Sequence, residues 1–358
     1  MRICVVGAGL AGALLAWRLR LADRTAEVEL AGPPEPADAT AASGGIVRGF
    51  EPDAALRAEA TASLAELYGS RLLRGWAAYR ETGSVYIQAG PPPLPSDLAA
   101  ICAALPGSAS LADAPGFPDR PPAVVERRAG FVAPGALRRE IVADLLRIGG
   151  RRTTAPVTGL TEEPDGALTL RHGTSRTTAG AAAGTASGTM AATTFDLVVL
   201  AAGPWTPGLL TLLGLPCDGL RTKRVQYTVH AAENPPSRVF VDETTSLYGR
   251  PHAKGLLLGV PSDRHDVDPD DRWPEPALAH AASALARVTF PGLRLGPAVR
   301  TVVAADCYHP DPGLRLRPVS GASPRLSTFT GGSGGAAKTA LAASRTAAEE
   351  LLRLRTPA

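Results

Sequence analysis

The sequence predicts an α/β fold of two domains, one wound on a parallel sheet and one β-rich. Three observations predict it: a strand, glycine turn and helix at the N-terminus; a second buried strand running into Gly203-Pro204-Trp205; and a closing strand, glycine-rich turn and long helix. The 358 residues, at roughly 150 per domain, suit two domains.

Residues 2–7 are a short apolar run that reads as a buried strand, and residues 10–22 have the length and apolar content of a helix. Residues 27–31 supply a second strand and complete a Rossmann-like βαβ start. In Gly7-Ala8-Gly9-Leu10-Ala11-Gly12, Gly7 permits the tight turn, Gly9 lets backbone approach a pyrophosphate, and Gly12 lets helix and strand pack closely. The helix N-terminus then faces the phosphates. The acidic residue that usually ends the second strand and holds the ribose is absent. Ala31 and Gly32 stand there, and Glu29, one strand repeat earlier, is an imperfect substitute.

Residues 84–129 and 216–305 change character, with short β-type runs at 84–88, 224–229, 239–242 and 255–260. They predict a β-rich mixed-sheet domain inserted into a discontinuous nucleotide-binding domain formed by residues 1–83, 130–215 and 306–358. Proline-rich stretches at 91–95 and 115–122 read as turns or polyproline spacers within it. In the first domain, residues 135–146 show helical spacing, and strands are expected at 153–160, which includes Val157, and at 167–171. Residues 173–194 collapse to Gly, Ala, Ser and Thr, the composition of a flexible insertion. Residues 196–202 are a buried strand reaching Gly203. The chain closes with a strand at 326–330, the turn Gly331-Gly332-Ser333-Gly334-Gly335 and a helix over 336–354.

Composition excludes several functions. Lys+Arg minus Asp+Glu is 37 − 34 = +3, so no large single-sign field recruits nucleic acid or anionic lipid. Cys4, Cys102, Cys217 and Cys307 are too scattered for a zinc or redox motif, and the six histidines lack metal spacing, so no metal is expected. No apolar run reaches the roughly 18 residues that span a bilayer. The N-terminal apolar run has glycines at its centre and arginines where a cleavage site belongs, so a cytoplasmic protein is expected. No apolar stripe or heptad run marks an interface, so the oligomeric state is open, with a monomer favoured.

Four segments in this order resemble the flavin amine oxidases of the D-amino-acid oxidase superfamily, with monomeric sarcosine oxidase as the nearest branch. They are residues 5–12; residues 196–205 with Leu209-Leu210; Asp306-Cys307-Tyr308; and Thr330-Gly331-Gly332-Ser333-Gly334 with Lys338. The resemblance implies an FAD-binding domain, a sheet-based substrate domain and an amine or amino-acid substrate. FAD contacts are then expected from Gly7, Gly9, Leu10, Ala11, Gly12, Ser43, Gly44, Gly45, Arg48, Val157, Ala202, Gly203, Trp205, Cys307, Lys338 and the loop Gly331, Gly332, Ser333, Gly334 and Gly335. That loop opens a helix, and its donors and dipole suit the anionic edge of a reduced flavin.

The resemblance also implies roles. Lys338 matches a lysine that holds the substrate carboxylate, against which stands a solvated lysine on a helix exterior. Cys307 matches the cysteine through which covalent members attach the flavin, which needs a thiolate; the alternative is a small buried hydrophobe at a strand end. Tyr248 matches an active-site tyrosine, or is an ordinary core aromatic. Glu51 falls where the family has its carboxylate-binding arginine, which reverses the sign. Leu257 falls where oxidases carry an oxygen-activating lysine; Lys254 is near, but strand alternation sends 254 and 257 to opposite faces unless a bulge intervenes. Gly44 lacks the histidine of the sarcosine branch. Candidate substrate contacts are Tyr248, Lys338, Arg48, Glu51, Tyr227 and Arg250.

The activity implied is oxidation of an amine to an imine by hydride transfer to flavin N5, with O2 as acceptor giving H2O2. Glu51 and Leu257 favour a rival: a flavin dehydrogenase or tailoring enzyme of specialised metabolism acting on a cyclic or carrier-linked amine, with poor O2 reactivity. A non-catalytic flavin-binding protein is the third reading.

Overall fold

The computed structural model describes residues 1–36, 39–117, 120–173, 191–253 and 255–354. Strand Arg2–Val6 is almost wholly buried, as a central strand covered on both faces must be. It pairs in parallel with Glu27–Ala31 on one side and Leu197–Leu200 on the other. Arg151–Thr153 and Leu326–Thr330 extend this sheet in parallel, and the antiparallel edge strand Arg315–Pro318 completes its six strands.

Helices Leu10–Ala22, Ala54–Gly69, Pro134–Arg147 and Ala336–Arg353 cover one face, where Leu14, Leu64, Ile141 and Leu341 share a core with Ile3 and Val5. Cys4 and Val6 point the other way, onto Leu168, Leu170 and Phe195 of a three-stranded antiparallel sheet, Val157–Glu162, Leu168–His172 and Ala191–Phe195. The α/β class with a Rossmann-like domain and a β-rich partner is therefore what the chain adopts.

The second sheet has eight strands, ordered Arg294–Tyr308, Arg221–Glu233, Gly255–Gly259, Leu247–His252, Val239–Asp242, Ser84–Ile87, Ala123–Glu126 and Ala109–Ala112. Helix Pro276–Thr289 packs Ala282 and Ala286 on one face of it, with Phe240, Leu256 and Leu258. The other face looks towards the nucleotide domain.

Three expectations need correction. The single strand at 153–160 is two strands in different sheets, because Pro156 has no N–H to continue a ladder. Residues 191–194 of the expected insertion belong to an ordered strand, Ala191–Phe195, while 174–190 lie outside the described residues. The stretch 84–129 also holds a helix, Pro95–Ala104, with proline at its first position, so the proline run ends in a helix start. Among the described residues no helix is long and apolar enough to cross a membrane.

Candidate active site

Two cavities lie end to end where the sheets meet. The first, about 400 Å3, is walled by the N-terminal glycine turn, the 201–205 turn and Val157. The second, about 280 Å3, is walled by residues 42–48, the eight-stranded sheet and the start of the C-terminal helix. Ala39, Thr40, Asp306 and Ala336 border both.

The first cavity has the chemistry of a dinucleotide cradle. Gly7 has φ +127°, and a Cβ there would fall 2.2 Å from Ala201 O. A Cβ on Gly12 would fall 2.0 Å from Gly7 O, so helix and strand touch through glycine alone. Helix Leu10–Ala22 starts at Gly9 without a side-chain cap, which leaves first-turn N–H groups for an anion. Gly9, Leu10, Ala11, Ala202, Gly203, Trp205 and Gly332 line this space. The missing ribose acid is not replaced by Glu29, whose Oε1 accepts from Thr153 Oγ1 at 2.6 Å and which does not border the cavity. Gly32 leaves no room for a side chain either: a Cβ would fall 2.8 Å from Ala8 N.

The C-terminal loop is tied to the sheet. Ser333 N donates to Cys307 O at 3.1 Å, and Gly334 N donates to Asp306 Oδ2 at 2.8 Å. Helix Ala336–Arg353 begins at Gly335 without a side-chain cap, and Ala336 and Ala337 border the second cavity. Gly334, Gly335 and Lys338 line it too, whereas Gly331 and Ser333 hold the loop's shape from behind.

Strand alternation decides Cys307. Asp306 and Tyr308 face the cavities, so Cys307 between them faces the opposite core, with Leu220, Val319 and Leu326. Burial pushes its thiol up to about 11, against the opposing effect of a hydrogen bond with Thr330. Asp306, and not Cys307, is the residue of this pair on the cavity side of the strand.

At one end of the second cavity, Glu51 pairs with two cations, Arg48 Nη1 at 2.9 Å and Lys338 Nζ at 2.5 Å. Burial disfavours the charged Glu51, but Arg48 and Lys338 outweigh it and hold its carboxyl below the usual range. Burial lowers the Lys338 amine, against the pull of Glu51. Arg48 and Lys338 border the cavity and Glu51 does not, which places Glu51 behind the two cations as their counter-ion. The solvated alternative for Lys338 fails, since its side chain is 17% exposed.

The turn that carries Arg48 and Glu51 is gripped from the second sheet. Fully buried Glu126 accepts from Gly49 N at 2.8 Å and Phe50 N at 2.9 Å, one with each carboxylate oxygen. Arg48 also lies over the Tyr86 ring, 4.3 Å from its centroid, and donates to Phe50 O.

Tyr227 and Tyr248 form the sheet wall. The Tyr248 hydroxyl donates to Gln226 O at 3.0 Å, its ring lies over Gly259, and burial raises its pKa. Arg250 does not reach the cavity: its Nε donates to Gly44 O at 2.5 Å and its guanidinium stacks 4.2 Å from the Phe131 centroid. Leu257, fully buried, sits cross-strand from Arg250, and a Cβ on Gly44 would lie 3.7 Å from its methyl groups. The two departures from the sarcosine pattern are therefore neighbours. Lys254 lies outside the described residues.

Sequence reasoning missed Lys223, which borders the cavity with its Nζ 5.2 Å from the Tyr308 ring centroid. Period-two alternation from Tyr227 through Val225 leads to it. Among the described residues no group of three or more His, Cys, Asp or Glu could hold a metal ion.

Comparison with known proteins agrees with this geometry. Glycine oxidase from Geobacillus kaustophilus superposes with TM-score 0.73 at 15% identity, covering 100% of this chain and 96% of that one. NikD, described as an unusual amino acid oxidase essential for nikkomycin biosynthesis, gives 0.72 at 17% identity, over 99% and 95%. L-α-glycerophosphate oxidase from Mycoplasma pneumoniae, solved with FAD bound, gives 0.75 at 16% identity, over 99% and 94%. No curated protein matches the sequence. Residues 2–350 match the DAO family model, described as FAD dependent oxidoreductase. Given that match over nearly the whole chain and a dinucleotide cradle opening on a basic cavity, the protein belongs to the DAO family of FAD-dependent oxidoreductases.

Proposed function

We propose that the enzyme oxidises a C–N bond of a small amine or amino acid to an imine. The observation that carries this reading is the second cavity: continuous with the nucleotide cradle, it sets Lys338 and Arg48 at one end and Tyr227 and Tyr248 along the wall. FAD, when bound, supplies a two-electron hydride acceptor. It would be held without a covalent bond, since Cys307 packs in the opposite core.

The residues of this chain bind and orient. The first-turn donors at Leu10 and Ala11 would hold the pyrophosphate, and the uncapped start of helix Ala336–Arg353 would hold the anionic edge of the ring. Lys338 and Arg48 seat the substrate carboxylate; with Glu51 between them the three side chains sum to +1, enough for one carboxylate. The substrate loses a hydride from carbon and a proton from nitrogen, and water hydrolyses the imine to a carbonyl compound and an amine. No cavity-lining base is required if the amine binds neutral, so positioning does most of the work.

The electron acceptor divides two readings. O2 giving H2O2 is one. Buried Leu257, packed against Gly44, favours the other, a dehydrogenase or tailoring enzyme that reacts slowly with O2. The test is direct: the purified protein should be yellow, acid should release the colour to the supernatant, and amino acids should bleach the flavin anaerobically. Colour retained in the pellet would overturn the non-covalent assignment, and a flavin that no amine bleaches would overturn the activity. Fast peroxide release would decide for the oxidase.

A further inference from the structure

We propose that the cavity holds a second anion subsite, centred on Lys223, and that the substrate is an amino acid carrying a further carboxylate. The inference rests on the amine-oxidising reading and extends it to a substrate class. Lys223 lies on the cavity-facing side of strand Arg221–Glu233, in line with Val225 and Tyr227. Among the described residues no carboxylate oxygen comes within 4.0 Å of its amine, in contrast to Lys338 and Arg48. Its cross-strand neighbour Asp306 is turned to the loop, where its two oxygens accept from Cys307 N and Gly334 N, both at 2.8 Å. Adjacent Arg224 is engaged elsewhere, by Asp271 and Glu275.

Lys223 and Lys338 belong to different elements, strand Arg221–Glu233 and the first turn of helix Ala336–Arg353. The Lys223 amine sits over the ring of Tyr308, whose hydroxyl would lie 3.1 Å from a Cβ on Gly334, and Lys338 Nζ would lie 3.9 Å from a Cβ on the next residue, Gly335. A ligand with an anion at each end can meet the two cations separately, Lys223 on the sheet and Lys338 on the helix. Among the described residues Asp306 is the one carboxylate that lines the cavity, and it accepts from two main-chain N–H groups, while a half-buried ammonium beside a ring face is a strong site for a charge-assisted hydrogen bond.

Straight-chain dicarboxylates, which cannot be oxidised, test this in the flavin-loaded enzyme through the change they cause in the visible spectrum. Dissociation constants for glutarate, pimelate and azelate are compared with those for pentanoate, heptanoate and nonanoate. At one chain length the dicarboxylate should bind about tenfold tighter or more. Lys223→Met should erase that preference while leaving the monocarboxylates within about twofold, and Lys223→Arg should keep it. Equal affinities at every length, or a preference that survives Lys223→Met, would overturn the subsite. The wild-type series decides even if a variant fails to fold. A colourless protein that takes up no FAD sinks the underlying reading before any ligand is added, whereas yellow protein with equal affinities sinks the subsite alone.

Discussion

Lys338 Nζ lies 2.5 Å from Glu51 Oε1, an ion pair that fastens the first turn of the C-terminal helix to the turn after strand Ile46–Val47. A first-turn lysine opposes the helix dipole, and Glu51 offsets that cost. Glu51→Gln leaves Arg48 and Lys338 as an unneutralised buried pair. The variant should lose about 3–5 kcal/mol of stability by urea unfolding. If folded, it should bind monocarboxylates about tenfold tighter, the reverse of what loss of a substrate contact gives.

Acid stability follows from the same pair. The folded pKa of Glu51 is depressed, so its contribution is complete above the unfolded value of about 4.3 and is lost as pH falls through the folded pKa. Glu126 has the opposite sign: its folded pKa is raised by burial, so its ionisation weakens the fold as pH rises through that pKa. A pH series of urea midpoints should therefore show a shallower loss below about pH 4 in Glu51→Gln than in the wild type.

Glu126 acts on the cavity only through the backbone it holds. Glu126→Gln keeps one acceptor and turns a donor towards the other N–H, which should cost about 1–3 kcal/mol. Loosening Gly49 and Phe50 should raise the KM for a carboxylate substrate more than it lowers kcat. An unchanged KM would reduce Glu126 to a packing residue.

Cys307 should behave as a core thiol. With its pKa pushed up to about 11, it stays protonated at neutral pH and should resist iodoacetamide until the protein unfolds. Cys307→Ala should retain flavin and shift stability by about 1 kcal/mol.

The nucleotide turn tolerates least. Gly7→Ala puts a methyl against Ala201 O at a backbone angle that side chains rarely adopt, and should abolish yellow colour and cost upwards of about 3 kcal/mol. Full FAD occupancy in that variant would refute the cradle.

The sequence displayed the nucleotide half well because its chemistry is local: a strand, a turn that only glycine fits, and a helix start at Leu10 are consecutive residues. The cavity half was legible in part. Tyr227, Tyr248 and Lys338 line it, but Cys307 does not, since a motif match carries no record of which strand face a residue takes, while the alternation of Asp306 and Tyr308 does. Glu51 looked like a reversed substrate charge because its two partners, one of them on the C-terminal helix, meet it only in the folded chain. Glu126 gave no signal at all: its partners are main-chain N–H groups 77 and 76 residues away in sequence.

Strand Arg294–Tyr308 pairs with Arg221–Glu233 through Tyr308, and its last residues also receive the N–H groups of the C-terminal glycine loop. One length of main chain thus spans from the sheet wall of the second cavity to the start of the C-terminal helix. A substrate and a flavin seated at those two ends would have their separation set largely by this strand, so side-chain changes elsewhere in the sheet should alter affinity well before they alter the transfer distance.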